Sequence, residues 1–237
     1  MNNTPPTLYL IPSTLGIIEP AEVIPVGAIR IIKKLRRFVV EEEKTARRFL
    51  IKAGIGKPIE SLVFYILNEH TAKNSIESFL KDSGQDDIGL LSEAGVPAVA
   101  DPGTELIRLA HIKGFRIVPL VGPSSILLAV MASGLNGQNF AFSGYLPVKT
   151  NERINCLRSL EKRSQTENQS QVFIEAPYRN NQLMKAIIDT CSHETWLSIA
   201  VNLTLENELI ATKTIAQWKK NIPDLHKKPA VFILQRM

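Results

Sequence analysis

Apolar and polar positions alternate in blocks along the chain, and the clearest series of blocks runs from residue 88 to residue 135. Two short apolar runs, 88–91 and 116–120, are each followed by a loop rich in glycine, proline and serine. The segment between the two loops has apolar residues at the i, i+3, i+4 spacing of a helix. This order of strand, loop and helix predicts an α/β fold in which both loops follow the carboxyl ends of their strands.

The same alternation continues on both sides of this segment. Short apolar runs predict strands at 7–12, 38–40, 61–67, 141–145, 171–174, 196–201, 207–212 and 230–235. Helical spacing predicts helices at 24–37, 45–53, 74–81, 125–132, 151–162, 182–191 and 214–220. A hinge near 118–122 would divide the chain, so we predict two α/β domains, 1–118 and 119–237, each with a mixed sheet flanked by helices.

The composition is that of an ordinary globular protein, with 237 residues of which 44 % are hydrophobic and 22 % charged. Two cysteines, Cys156 and Cys191, are too few and too far apart for a disulfide framework, which favours a reducing compartment. The chain shows no basic-then-apolar leader, so we expect a cytoplasmic location. The longest uncharged run, 117–139, contains prolines and glycines that shorten its apolar part, so we expect a buried helix there and no membrane span.

The net charge of +5 mildly favours a polyanionic partner such as nucleic acid, although many soluble proteins are equally basic. The four histidines stand apart from one another, and the sequence contains neither a C-x-x-C nor an H-E-x-x-H motif, so we expect no metal. The segment GIGKP at 54–58 resembles part of a phosphate loop but lacks its first glycine and the hydroxyl residue after lysine. It is better interpreted as a helix stop.

The loop VGPSS at 121–125 opens an apolar helix. Free backbone N–H groups at a helix start can bind a carboxylate or a phosphate, but most such loops are ordinary helix starts. It is one of a series of motifs whose order along the chain is specific. They are PSTLGI at 12–17, VEEEK at 40–44, SEAGVPAVADPG at 92–103, VGPSS at 121–125, VMASGL at 130–135, GYLPVK at 144–149, IEAPYR at 174–179 and KPA at 228–230.

Taken in this order, the motifs resemble those of the tetrapyrrole-methylase superfamily of S-adenosylmethionine-dependent methyltransferases. Within it they most resemble the branch that methylates a ribose 2′-hydroxyl of small-subunit ribosomal RNA. The resemblance covers nearly the whole chain. The chain departs from that pattern at Ile17, Glu42, Glu93 and Val96, and it lacks the branch's charged residues at 201, 202 and 205.

The resemblance implies two α/β domains, S-adenosylmethionine held in a cleft between them, and a homodimer. It also implies that most contacts to the cofactor come from the backbone of loops. The cofactor-binding residues carried over from the motifs are Leu10, Ile11, Pro12, Ser92, Gly95, Val96, Val99, Ser124, Ser125, Ile174, Ala176, Ala200, Val201, Pro229 and Ala230.

A ribose hydroxyl is a weak acid, so a general base would speed methyl transfer to it by roughly 10²–10⁴-fold. The candidate catalytic carboxylates are Glu93, Glu175 and Asp101, with Glu41 and Glu42 as alternatives. Asp101 also has a purely structural interpretation, because an aspartate before Pro-Gly is often only a turn residue.

The other two carboxylate groups also have structural alternatives. Glu175 could pair with Arg179 or Lys228, and the run 41–43 could be a solvated helix start that the helix dipole favours.

Basic side chains beside the central loops are the candidates for contact with RNA, since phosphate contacts position a protein on nucleic acid. The substrate-binding candidates are Lys44, Lys149, Arg153 and Arg179. The basic run 33–37 is more simply a solvated face. Together with these residues, the resemblance to the family predicts an S-adenosylmethionine-dependent methyltransferase of ribosomal RNA. A methyltransferase of a small, tetrapyrrole-like molecule and a non-catalytic protein that binds S-adenosylmethionine are the alternatives.

Overall fold

The computed structural model describes residues 5–68 and 70–237 of the chain. Its internal packing divides it into two compact units, unit 1 (Met1–Ser124) and unit 2 (Ser125–Met237). The sequence placed this division after Val118. Val118 and Pro119 belong to a strand that pairs with the first strand of the chain, so both residues lie in unit 1.

In the described part of unit 1, five parallel strands form one sheet in the order β3-β2-β4-β1-β5. They are β1 Thr7–Ile11, β2 Arg37–Val40, β3 Val63–Ile66, β4 Ile88–Leu91 and β5 Arg116–Pro119. The helices are α1 Pro20–Val23, α2 Val26–Ile32, α3 Glu43–Lys52, α4 Lys73–Ser83 and α5 Thr104–Ile112, with a 3-10 turn at Ile59–Ser61. Because the strands are parallel, all their carboxyl ends meet at one edge of the sheet.

Two hydrophobic clusters cover the two faces of this sheet. Phe38 packs with Leu50 in one cluster, whereas its neighbour Val39 packs with Leu106 in the other. Successive side chains of a strand point to opposite faces, so β2 contributes to both clusters. The central strands β1, β2 and β4 are largely buried on both faces, which is why they read as nearly continuous apolar runs, whereas the edge strands β3 and β5 are partly exposed.

In the described part of unit 2, the strands are β6 Phe140–Tyr145, β7 Ser170–Ile174, β8 Trp196–Val201, β9 Leu209–Thr214 and β10 Ala230–Gln235. They form a sheet in the order β6-β7-β10-β8-β9, in which β6 and β7 are parallel and the remaining pairs are antiparallel. The helices are α6 Ser125–Ser133, α7 Thr150–Thr166, α8 Asn180–Thr190 and α9 Ile215–Trp218, with a 3-10 turn at Pro177–Arg179. Phe173 and Phe232 stack in the core at 5.9 Å between ring centroids.

The predicted α/β fold class is confirmed, with two sheets flanked by helices. The sheet of unit 2 is mixed as predicted, but that of unit 1 is parallel throughout, because helical crossovers connect its strands. Within the described residues, no helix combines the length and the hydrophobicity that crossing a membrane requires.

One predicted helix is wrong in extent. The helix expected over 24–37 ends at Ile32, and residues 37–40 form β2. The Nζ of Lys57 donates to the carbonyls of Lys33 and Lys34 at 2.7 and 2.9 Å, so these carbonyls are satisfied from outside the helix.

Candidate functional site

The loops at the carboxyl edge of the unit 1 sheet are tied directly to one another. The backbone N–H of Ser13, just after β1, donates to Gly95 O in the loop after β4 at 2.8 Å. The N–H of Leu120, after β5, donates to Leu10 O at 2.9 Å. The segments that follow β4, β1 and β5 therefore lie side by side, as expected for ligand-binding loops of a parallel sheet.

Two glycines allow these loops to approach so closely. A Cβ atom at Gly122 would lie 2.2 Å from Cγ of Pro12. Gly95 has a φ of +76°, and a Cβ there would lie 3.1 Å from Leu15 Cδ2 and 3.5 Å from Pro123 O. The structure thus brings the turn near 95 and the turn near 122 together at the end of β1, on one side of unit 1.

Asp101 lies in the same loop as Gly95, further from β4. The pKa of its carboxyl is raised from 3.8 to about 6, chiefly by partial burial and also by the charges of Glu41 and Glu93, against the lowering effect of a hydrogen bond from Ser92. A pKa of about 6 suits a group that must be ionised near neutral pH and still accept a proton.

The carboxyl groups of Glu93 and Glu42 are close in space, but their pKa values are shifted in opposite directions. Burial raises the pKa of Glu93, opposed by a hydrogen bond from the backbone N–H of Glu42. In contrast, a hydrogen bond from the Thr45 hydroxyl lowers the pKa of Glu42. The Glu42 carboxylate also accepts from the backbone N–H groups of Lys44 and Thr45 at 3.1 and 2.9 Å, so it is the N-cap of α3. Its interpretation as a helix start agrees with this geometry.

Left-handed backbone at non-glycine residues is concentrated in the predicted cofactor loops. In the loop after β4, Ala98 and Ala100 have φ of 63° and 56°. In the loop after β8, Asn202 and Thr204 have φ of 50° and 71°. Such conformations are costly for residues with a Cβ and occur most often at functional sites.

In unit 2, the loops after β7 and β8 and the loop before β10 meet at one edge of the sheet. Asn180 Nδ2 donates to Lys228 O at 2.7 Å, and the N–H of Asn202 donates to Pro229 O at 3.0 Å. The antiparallel pairing of β10 with β7 and β8 causes this, since the start of β10 lies beside the ends of both neighbours. Two buried oxygens in these loops, Glu175 Oε2 and Thr204 Oγ1, have no hydrogen-bond partner.

Glu175 forms a buried ion pair, which was one of its two expected roles. Its Oε1 accepts from Arg179 Nη2 at 2.6 Å, from Arg179 Nε at 3.0 Å and from the Ala176 N–H at 2.7 Å. Three donors on one oxygen leave it poorly suited to accept a proton from a substrate. The Arg179 side chain is therefore committed to Glu175 rather than free for a phosphate.

The other predicted substrate-binding residues fall into two groups. Lys44 and Lys149 are exposed, as contact with RNA requires. Arg153 is different, because only 2 % of it is exposed and its Nη1 donates to Val148 O at 3.4 Å inside unit 2. The expected surface contact of Arg153 with a phosphate is therefore corrected, since its guanidinium lies in the interior, with Nε unpartnered.

The predicted cofactor residues lie in the loop clusters, at the strand ends that adjoin these loops, or at the start of α6. Those in unit 1 are Leu10, Ile11, Pro12, Ser92, Gly95, Val96, Val99 and Ser124, and those in unit 2 are Ser125, Ile174, Ala176, Ala200, Val201, Pro229 and Ala230. Ile11, Ala200, Val201 and Ala230 are buried in the sheets, so only their backbone groups are available to a ligand, whereas Val99 is exposed. Their role as cofactor contacts stays a prediction.

Sequence reasoning missed two contributors. The Thr45 hydroxyl bonds Glu42 and reaches Glu93, and Tyr178 stands beside Arg179 with its ring exposed. An aromatic residue next to an arginine in a loop was the available signal for Tyr178. Thr45 gave no signal, because its contacts depend on how β2 and β4 pair. Among the described residues, no group of three or more histidine, cysteine or acidic side chains could hold a metal.

A scan against models of protein families gives no match for this chain. Individual relatives do match it. A protein from Mesorhizobium japonicum called ribosomal RNA small subunit methyltransferase I is 30 % identical over 211 residues, which are 89 % of this chain and 68 % of the relative. The chain belongs to the ribosomal RNA small subunit methyltransferase I family. A family member from Pasteurella multocida is 27 % identical over 239 residues, covering 99 % of this chain and 81 % of the relative.

Solved structures similar to this member of the family include the methyltransferase CobJ, with a TM-score of 0.66 and 14 % identity over 98 % of this chain and 94 % of that one. Diphthine synthase has a TM-score of 0.68 and 12 % identity, covering 97 % and 89 % of the two chains. Uroporphyrin-III C-methyl transferase from Thermus thermophilus, solved with S-adenosyl homocysteine, has a TM-score of 0.57 and 16 % identity over 97 % of both chains. At such identities these likenesses establish the fold.

Proposed function

We propose that this protein transfers a methyl group from S-adenosylmethionine to a ribose 2′-hydroxyl of small-subunit ribosomal RNA. The observation that carries the proposal is its family membership, with relatives of that one name aligned over up to 99 % of the chain. The loops at the carboxyl edge of unit 1 and their counterparts in unit 2 supply the physical support.

The described residues fit S-adenosylmethionine. In unit 1 the turn at Gly122 packs on the Pro12 ring with no room for a side chain, and Gly95 lies against Leu15 and Pro123 O, so both glycines present only backbone groups. Glu93 and Asp101 place carboxylates beside these turns, and a positively charged ligand is stabilised by such a field. In unit 2 the unpartnered, buried Glu175 Oε2 is an acceptor that a ligand hydroxyl or amine would satisfy.

When bound, S-adenosylmethionine supplies an activated methyl group on a positively charged sulfur. The protein's own contribution is to align the ribose hydroxyl and to accept its proton. Alignment alone can lower such a barrier by about 7–11 kcal/mol. Among the three predicted carboxylates, Asp101 is the best proton acceptor, because its pKa of about 6 keeps it ionised yet basic near neutral pH. Arg179 binds Oε1 of Glu175, whose Oε2 is the acceptor assigned above to the cofactor, and Glu93 accepts from the backbone N–H of Glu42.

Two measurements test the proposal. Calorimetry with S-adenosylmethionine should show binding to the purified full chain. Incubation with labelled S-adenosylmethionine and small ribosomal subunits from a strain lacking the gene should then label one nucleotide. Digestion to nucleosides and mass spectrometry should place the methyl on ribose. Small subunits from the strain that keeps the gene are the control. They should accept no label, because their target nucleotide is already methylated.

Label on a base, or label on the large subunit alone, would contradict the proposed reaction. Absence of binding to S-adenosylmethionine would contradict the cofactor. The homodimer and the cytoplasmic location stay predictions, and light scattering of the purified protein measures the first of them.

A further inference from the structure

Two exposed aromatic side chains lie at the same edge of the unit 2 sheet. Tyr145 ends β6 and is 57 % exposed, and Tyr178 lies in the 3-10 turn after β7 and is 62 % exposed. The strands β6 and β7 are parallel, and Tyr145 is the register partner of Ile174. An exposed aromatic ring offers a large flat apolar face that a ligand can bury.

Arg179 holds the Tyr178 ring in place. Its Nη1 donates to the Tyr178 hydroxyl oxygen at 3.1 Å, and its Cζ lies 5.1 Å from the centre of the Tyr178 ring. The same guanidinium is anchored by the buried Glu175 at 2.6 Å, and the hydrogen bond with Glu175 is the main reason why the pKa of Arg179 is raised. Tyr145 also lies close enough to contribute to that rise. Tyr178 is thus exposed but pre-positioned.

Two exposed lysines belong to the segments that adjoin the two tyrosines. Glu175 and Arg179 neutralise each other, whereas Lys149 lies four residues after Tyr145 with 82 % of its side chain exposed. Its ion pair with Glu152 at 3.1 Å is on the surface and is easily exchanged for a phosphate. Lys227 is exposed as well, and its backbone N–H donates to Pro177 O at 3.0 Å, beside Tyr178. An exposed ring with exposed lysines in the adjoining segments suits an unpaired base and its phosphates.

We propose that Tyr178, positioned by Arg179 and accompanied by Tyr145, stacks on an unpaired base of the RNA substrate. This inference rests on the proposed function, because it assigns part of the RNA contact to unit 2. Stacking of a base on an aromatic side chain is tolerant of base identity. The platform therefore orders the strand near the site without reading its sequence.

The test compares Tyr178→Ala with Tyr178→Phe in the full chain. Binding of a labelled fragment of small-subunit ribosomal RNA is measured by fluorescence anisotropy at several salt concentrations. Tyr178→Ala should weaken binding by roughly 5- to 150-fold, the range for loss of one stacked base. Tyr178→Phe keeps the ring and loses only its hydroxyl, so its affinity should stay within about 3-fold of the unsubstituted protein.

Salt dependence separates stacking from charge. Tyr178→Ala should leave the slope of log affinity against log salt unchanged, because no phosphate contact is lost. Lys149→Ala should instead reduce that slope by about 0.7–0.9. Ile222→Ala, at a half-exposed apolar residue elsewhere in unit 2, is the matched control and should change neither affinity nor slope.

Arg179 is tested as a positioning residue. Arg179→Lys keeps the charge but loses the fork that binds Glu175 and Tyr178 together. It should raise KM for RNA by several-fold with kcat nearly unchanged.

Three outcomes would overturn the inference. If Tyr178→Ala binds and methylates RNA like the unsubstituted protein, the stacking role fails while the proposed function stands. If Tyr178→Ala weakens binding of S-adenosylmethionine instead, the ring serves the cofactor and not RNA. If the unsubstituted protein neither binds nor methylates ribosomal RNA, the proposed function and the inference fail together.

Discussion

Asp101 shows how one residue can be prepared for chemistry by its neighbours. Its pKa of about 6 arises first from burial and then from two nearby glutamates. If Asp101 accepts the substrate proton, kcat/KM should fall as the pH drops below about 6, because the protonated carboxyl cannot act as a base. Asp101→Asn should remove this dependence and slow methyl transfer by roughly 10²–10⁴-fold. Rates of methyl incorporation across the pH range measure both effects.

Asp189→Asn is the control for this substitution. It removes a carboxylate from an exposed ion pair with Lys185 at 3.0 Å, and it should leave the rate and its pH profile unchanged. An Asp101→Asn variant with a normal rate would show that Asp101 is only a turn residue.

The same pKa has a consequence for stability. Since the folded-state pKa of Asp101 lies above its ordinary value of 3.8, the fold favours the protonated carboxyl. That contribution is fully present below about pH 4 and is lost as the pH rises through about 6. Asp101→Asn should therefore stabilise the protein at about pH 8 by up to about 1 kcal/mol, because solvent partly screens the charge of the Asp101 carboxylate. At about pH 4 it should have hardly any effect. Thermal unfolding at the two pH values checks this sign.

Gly122 is required by contact rather than by backbone conformation. A Cβ there would overlap the Pro12 ring at 2.2 Å, so Gly122→Ala should destabilise the protein by about 1–3 kcal/mol and weaken S-adenosylmethionine binding. Gly27→Ala, in α2 with no atom within 4 Å of the added methyl, is the matched control. It should stabilise the protein by about 0.5–1 kcal/mol. Denaturant unfolding measures both, and equal effects would argue against close packing of the loops.

Among the elements, the loop after β4 combines two left-handed alanines with the candidate base. Ala100→Gly should relieve local strain and stabilise the protein by about 0.5–1 kcal/mol. It should also weaken S-adenosylmethionine binding by roughly 2- to 10-fold, because a looser loop must be ordered on binding. Ala94→Gly, in the same loop but without positive φ, should only destabilise. If both variants behave alike, the conformation of Ala100 has no special role.

Helices and strands that are marked by a pattern of neighbouring residues were predictable from the sequence. The apolar runs gave β1, β4 and β8 almost residue by residue, and the helix start at Ser125 was placed correctly. The end of α2 was missed because it depends on Lys57, which is distant in sequence. The burial of Arg153 was missed because arginine is usually exposed.

The same limit applies to the site. Motif order pointed to the loops at 95 and 122, and the structure brings those loops together. The sequence suggested the pairing of Glu175 with Arg179, but it could not show that all three donors meet one oxygen and leave Oε2 buried and unpartnered.

For the molecule as a whole, the net charge of +5 and the exposed lysines predict an electrostatic component in RNA binding. Affinity for ribosomal RNA should fall steeply with salt, by about 0.7–0.9 in the log–log slope for each phosphate contacted. Titrations at increasing salt measure this slope. The affinity for S-adenosylmethionine is the comparison and should change little. A slope near zero would contradict a binding surface built on Lys44 and Lys149.

The order of strands in unit 2 has a consequence for how the protein is made. Its sheet is completed by β10, which is latest in sequence but occupies the middle position between β7 and β8. Unit 1 can close its sheet once β5 has been synthesised, whereas unit 2 remains two separate strand pairs until residue 235 has left the ribosome. A nascent or truncated chain that stops before residue 230 would therefore expose the two inner edges on either side of the gap, and we expect such chains to need a chaperone or to aggregate.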